Sequence, residues 1–200
     1  MKYPSSIQAL INQFAKLPTV GPKTAERYVF YLLQQSPEYL QKFGQTIAEL
    51  KDKITICRSC FAVSESSICH ICADEKRNKE MLCIVSNTRD MLSLENSHEY
   101  NGQYHVLGGL ISAVEGKGPE NLTIKQLEDK IKKNSYTEIL IALNPTLDGE
   151  TTSMYLQKFI RDLAPQIKIS RLAKGLPMGA DLEYADELTL ANAIKYRNAL

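Results

Sequence analysis

With 200 residues, 44% hydrophobic and 24% charged, the chain has an ordinary globular composition and room for one large domain or two small ones. Its formal net charge of +1 excludes a general attraction to nucleic acid, so any DNA contact must come from local basic patches. No apolar run approaches the ~18 residues of a membrane span. The opening Met1-Lys2-Tyr3-Pro4-Ser5-Ser6 lacks a signal peptide's apolar core, so a cytoplasmic address is expected. Five cysteines in such a compartment argue against disulfides, and the odd count leaves one over.

Residues 1–56 read as a helical module. Ile7, Leu10, Ile11 and Phe14 recur at helical spacing, followed by Tyr28, Tyr31 and Leu32 and then by Ile47, Leu50 and Ile54. Ser5 or Ser6 is a candidate cap for the first helix, and Pro18 stops it. The module carries seven Lys and Arg against four Glu and Asp, a local charge of +3. In Leu17-Pro18-Thr19-Val20-Gly21-Pro22-Lys23, a turn with a glycine leads into a helix that opens at Pro22. Backbone N–H groups left unpaired at that start can hold a phosphate oxygen, and Lys23 and Arg27, four residues apart, project from one face. The segment resembles a helix-hairpin-helix motif, which grips the DNA backbone without reading bases; that motif usually has a glycine where this chain has Thr19. An ordinary turn with solvated basic residues is the alternative. The aromatic run Tyr28, Phe30 and Tyr31 is expected in the core rather than on a base-stacking platform.

Residues 57–72 carry the most specific signal. Cys57-Arg58-Ser59-Cys60 and Cys69-His70-Ile71-Cys72 are two CxxC pairs with eight residues between them. Each CxxC bend brings two thiolates to one side, and two such bends supply the closed sulfur tetrahedron that zinc prefers. One structural Zn²⁺ per chain is expected, with no open position for chemistry. Redox dithiols are the competing reading, and an iron–sulfur cluster would also accept four sulfurs. His70 is expected to point away from the site, and Cys83 to be a buried core residue.

From about residue 80 short apolar strands alternate with helices. Met81–Val85, Tyr104–Leu107, Ile139–Leu143 and Ile167–Ile169 read as strands. Residues 88–96, 123–134, 150–163 and 186–197 read as helices. This alternation predicts an α/β layer with a mainly parallel sheet over roughly 80–175, followed by a carboxy-terminal segment and helix over 176–200.

The order of these segments, from LPxxGPK through a four-cysteine knuckle to an α/β domain, resembles the RecR family of recombination mediators. Further matching stretches are Tyr104-His105-Val106-Leu107-Gly108-Gly109-Leu110-Ile111-Ser112, Asn144-Pro145-Thr146-Leu147-Asp148-Gly149-Glu150, and Gly175-Leu176-Pro177-Met178-Gly179 with Asp181-Leu182-Glu183-Tyr184-Ala185-Asp186. The resemblance runs from about residue 5 to 197. It implies a Toprim-type domain and a homo-oligomer, a ring tetramer or dimer, that clamps DNA. It also implies a bacterial, nucleoid-associated protein that acts with RecO and RecF to load recombinase at gaps. The DNA-binding residues would be Gly21, Lys23 and Arg27.

Toprim enzymes hold Mg²⁺ with a glutamate ending the first strand and a DxD pair after a later one. Here those places hold Ser86 and Asn144, so no catalytic residues are expected. Asp148 and Glu150 remain candidates for a weak metal site, a partner contact, or the start of the following helix. A Mg²⁺-dependent enzyme acting on DNA phosphodiesters and a zinc-stabilised scaffold binding only proteins are the alternative functions. His98 and His105 lack a triad pattern, and the glycines at 108–109 and 116–118 lack P-loop spacing. The Asp181, Glu183, Asp186, Glu187 cluster has no Walker A partner and is a candidate to pair with a neighbouring subunit.

Overall fold

The computed structural model describes residues 3–197. They fall into two compact units, one ending at Ile54 and the other beginning at Thr55.

The first unit holds α1 (Ser5–Phe14), α2 (Pro22–Leu32) and α3 (Pro37–Ala48). Ile11, Ala25 and Val29 form its core, flanked by Ile7, Phe14, Ala15 and Val20. The buried stripe of α2 is Ala25, Val29 and Leu32, at the four-then-three spacing of a helix face. Tyr28, Phe30 and Tyr31 lie off that stripe and are 45%, 40% and 55% exposed, which corrects their expected place in the core. Tyr28 still packs edge-on against Phe14, with ring centroids 5.7 Å apart. The cap of α1 is Pro4 rather than a serine, and Ser5 already belongs to the helix. Ser36 caps α3 by accepting the Tyr39 N–H at 3.2 Å.

The second unit opens with a small antiparallel pair, β1 (Thr55–Ile56) and β2 (Val63–Ser64), and a single helical turn, α4 (His70–Ala73). Then follow β3 (Asn78–Val85), α5 (Thr88–Glu95), β4 (Gly102–Val106), α6 (Ile124–Lys133), β5 (Glu138–Ile141), α7 (Leu147–Leu163), β6 (Lys168–Arg171) and α8 (Glu187–Lys195). The four longer strands form one sheet in the order β4-β3-β5-β6, every neighbouring pair parallel.

Period-two alternation in β3 builds both faces of this layer. Leu82 and Ile84 join Leu127 and Ile131 of α6 and Leu156 and Ile160 of α7. Cys83 and Val85 point the other way, to Met91 of α5 and to the cysteine knuckle. A strand buried on both faces reads as a continuous apolar run, as Met81–Val85 does. Among the described residues no helix is long and apolar enough to cross a membrane.

Two local devices brace the frame. Arg77 donates to both carboxylate oxygens of Glu95 at 2.6 and 2.8 Å and to the Gly102 and Tyr100 carbonyls, with its guanidinium over the Tyr104 ring. Helix α7 starts three residues before the expected 150. Thr146 caps it by accepting the Gly149 N–H at 3.1 Å, and Gly149 lets the Asn144 carbonyl approach. A Cβ at Gly149 would lie 1.9 Å from that backbone oxygen. Gly149→Ala is therefore expected to lower stability by about 3 kcal/mol, the upper range for overpacking, because a backbone atom has to move. Urea unfolding of the full chain checks this, and an unchanged midpoint would refute it.

Candidate metal centre and nucleic-acid interface

The cysteine site is built by local backbone geometry. The Cys57 N–H donates to the Ala62 carbonyl at 2.8 Å and the Phe61 N–H to the Cys57 carbonyl at 2.9 Å. These bonds close the first CxxC bend and place Phe61 in the left-handed region, at φ 65°. The second bend is the start of α4, with Cys69 as its cap and its sulfur accepting the Cys72 N–H at 3.4 Å. The Cys69 N–H in turn donates to the Cys57 sulfur at 3.3 Å, tying the two bends together.

All four sulfurs, of Cys57, Cys60, Cys69 and Cys72, lie within 4.8 Å of one another, and those of Cys60 and Cys69 are 3.6 Å apart. Tetrahedral bonds of ~2.3 Å to zinc require sulfurs about 3.8 Å apart, so the donor set fits a tetrahedral metal. Three of the cysteines are buried and Cys72 is half-buried. A hydrogen bond from Cys60 favours the Cys72 thiolate, while that same bond and burial push the Cys60 thiol up. Burial also raises Cys69, to about 11. Four thiolates cannot share this space unless a cation joins them. His70 is exposed and outside the donor set, and Cys83 is fully buried in the core, both as expected.

The knuckle also covers the open edge of the sheet. The Val106 N–H of edge strand β4 donates to the Cys60 carbonyl at 2.7 Å. Lys130 of α6 donates to the Tyr104 carbonyl at 2.9 Å and the Ser59 carbonyl at 3.0 Å. Sequence reasoning missed Lys130, because a lysine in a helix's last turn reads as a solvated partner of the helix dipole. Its two acceptors lie 26 and 71 residues away. His105, also on β4, is buried with its Nε2 on the Thr123 hydroxyl and carbonyl, and burial draws its pKa down to about 3. His98 is exposed in a turn. Among the described residues neither histidine hydrogen-bonds to an acidic, serine or cysteine side chain.

In the first unit, α1 and α2 flank the hairpin. The turn takes its positive φ at Thr19 (64°), and Gly21 is extended at φ −78°, ψ 166°. Gly21 is thus not needed to make the turn; it caps α2, and a Cβ there would meet nothing within 4 Å. Among the described residues the N–H groups of Gly21, Lys23 and Thr24 have no acceptor, and Lys23 and Arg27 are exposed without an ion pair. The left-handed conformation costs a β-branched residue about 1–2 kcal/mol. Thr19→Gly is expected to raise the stability of this unit by about 1 kcal/mol, the gain being trimmed by glycine's extra unfolded-state entropy. A denaturant midpoint that stays put or falls would show that the turn carries no such strain.

The acidic loop places Asp148 and Glu150 in the first turn of α7, where the helix dipole favours them. Asp148 is half-buried. Glu150 accepts from Lys174 at 2.6 Å and Arg171 at 3.2 Å, and these cations hold its carboxyl below the usual range. Among the described residues no third acidic, histidine or cysteine ligand converges with this pair. At the end of β3, the Ser86 hydroxyl donates to the Asp90 carboxylate, which also accepts from Asn87 at 2.9 Å. Of the carboxy-terminal acidic residues, Asp186 caps α8 by accepting the Thr189 N–H at 2.8 Å, and Asp181, Glu183 and Glu187 are exposed.

Comparison with known proteins agrees with this architecture. Residues 7–51 match the family model "RecR, helix-hairpin-helix", residues 80–173 the Toprim domain, and residues 175–198 "RecR, C-terminal". The chain is 40% identical over 200 residues to the recombination protein RecR of Staphylococcus aureus strains MRSA252, JH9 and Newman, covering 100% of each chain. With a helix-hairpin-helix unit, four convergent cysteine sulfurs, a parallel Toprim sheet and this identity across its full length, the chain belongs to the RecR family.

Proposed function

We propose that this protein is a non-catalytic DNA-binding mediator of recombinational repair that holds DNA by its phosphate backbone. The observation that carries the reading is the hairpin: N–H groups at the start of α2 that are unpaired among the described residues, flanked by the exposed cations Lys23 and Arg27, which likewise lack partners there. Such a surface receives phosphate oxygens through backbone amides, the helix dipole and two charge-assisted bonds. Gly21, bare of a side chain, leaves room for the DNA backbone to approach. The contacts read no bases, so binding is sequence-independent. Zinc is the proposed metal of Cys57, Cys60, Cys69 and Cys72, one ion per chain, with a structural role. In this reading the chain assembles as a ring tetramer or dimer and works with RecO and RecF to load recombinase at gaps, in the bacterial cytoplasm at the nucleoid. Asp148, half-buried beside the neutralised Glu150, is a candidate partner contact.

Bond chemistry forms no part of the proposal. Ser86 and Asn144 bring no charge to the positions where Toprim enzymes hold Mg²⁺, and Glu150 is committed to two cations. Fluorescence-anisotropy titration of single-stranded and duplex DNA at several salt concentrations, with and without Mg²⁺, tests the reading. The expected result is a log affinity that falls linearly with log salt while the DNA stays intact. Absence of binding at low salt would favour a scaffold for proteins alone. Mg²⁺-dependent cleavage or relaxation would make Asp148 and Glu150 a working metal site and replace this reading with an enzymatic one.

A further inference from the structure

Lys130 stands out as a charged group with, among the described residues, no carboxylate partner and two carbonyl anchors. It lies on the last turn of α6, half-buried, and donates to the Ser59 carbonyl at 3.0 Å and the Tyr104 carbonyl at 2.9 Å. Ser59 sits inside the first CxxC bend, between Cys57 and Cys60, so its carbonyl fixes the ammonium one peptide away from a metal-ligand residue. Arg77, whose side chain lines the same groove as Cys72, is committed to Glu95 through two bonds and is not available to balance the sulfurs. Four thiolates and one divalent cation leave two negative charges in a site whose sulfurs are mostly buried. A buried charge without compensation is strongly disfavoured, and a fixed cation close by is the direct remedy.

We propose that Lys130 is the counter-charge of the tetrathiolate metal centre, a positioning residue that holds the metal-loaded knuckle against the edge of the Toprim sheet. The ammonium performs two tasks through one geometry. Its charge offsets the anionic centre, and its two hydrogen bonds join the CxxC bend to β4, next to the bond from Val106 to the Cys60 carbonyl. Metal occupancy is thereby coupled to docking of the knuckle on the sheet. The inference rests on reading the four cysteines as a metal site.

Three variants of the full-length, zinc-loaded protein separate the charge from the hydrogen bonds. Lys130→Arg keeps the charge and donors, Lys130→Gln keeps a donor without charge, and Lys130→Met keeps only the stem. The readout is zinc affinity by competition with a chromophoric chelator, with Co²⁺ substitution reporting thiolate coordination. Loss of an outer partner of a metal site typically lowers metal affinity 10–100-fold. Lys130→Gln and Lys130→Met are expected to fall in that range, with Lys130→Arg within a few-fold of the parent. Should Lys130→Met fail to fold, the comparison of Gln with Arg still decides. A glutamine variant that holds zinc like the parent, or an arginine variant that loses it as glutamine does, overturns the counter-charge. If the parent binds zinc and every variant binds it equally, only the lysine inference falls; if the parent holds no metal, the metal reading falls with it.

Discussion

Cys57→Ser is expected to release the metal and unfold most of the unit that begins at Thr55. Structural zinc sites contribute apparent binding energies on the order of 10 kcal/mol, comparable to the whole stability of a domain. A serine hydroxyl cannot replace a thiolate in a sulfur tetrahedron, so one substitution removes most of that contribution. The loss would not stay local. Cys57, Cys60 and Cys69 pack in the same core as Cys83, Val85 and Tyr104 of the sheet, and the Cys60 carbonyl satisfies the Val106 N–H on edge strand β4. Opening the knuckle therefore exposes one face of the sheet and leaves the edge of β4 unpaired, an invitation to aggregation. Circular-dichroism melts alongside zinc quantification test the expectation. Parent protein stripped of metal that melts at the same temperature would overturn it, and so would a serine variant of full stability.

The double substitution Lys23→Ala with Arg27→Ala is expected to weaken DNA binding roughly 60-fold at ~0.1 M salt and to lower the log–log salt slope by about 2. Each phosphate neutralised releases counterions worth about 0.9 in that slope for duplex DNA. The loss should be uniform across sequences, since phosphate contacts carry no base information. Both side chains are exposed and without partners among the described residues, so their removal should shift stability by no more than about 0.5 kcal/mol. Anisotropy at matched salt, with a melt of the same sample, gives both numbers. An unchanged slope in a folded variant would move the DNA contact away from the hairpin.

Much of this was legible in the sequence because the signals were local. Two CxxC pairs announce a sulfur cage at any reading, since each bend is made within four residues. The parallel sheet was equally plain, as short apolar runs such as Met81–Val85 alternate with amphipathic helices. The hairpin turn was readable from proline and glycine punctuation, although the residue in the left-handed conformation is Thr19 rather than Gly21. The start of α7 was placed three residues late because Asn144-Pro145-Thr146 looks like loop. Only the close approach of the Asn144 carbonyl to Gly149 shows why a helix can begin there.

From its own residues the sequence determined the element types, the clustered four-cysteine set and the basic character of the hairpin, because propensity, period and spacing act within a turn or two of chain. Tertiary structure decided what depends on distant partners. It left Tyr28, Phe30 and Tyr31 largely exposed, since the buried stripe of α2 is Ala25, Val29 and Leu32. It tied Glu150 to Arg171 and Lys174, more than twenty residues away. It brought Lys130 from the end of α6 to the carbonyl of Ser59. A charged side chain's role is set by what stands within hydrogen-bond reach, and that neighbour is chosen by how the sheet and its helices pack.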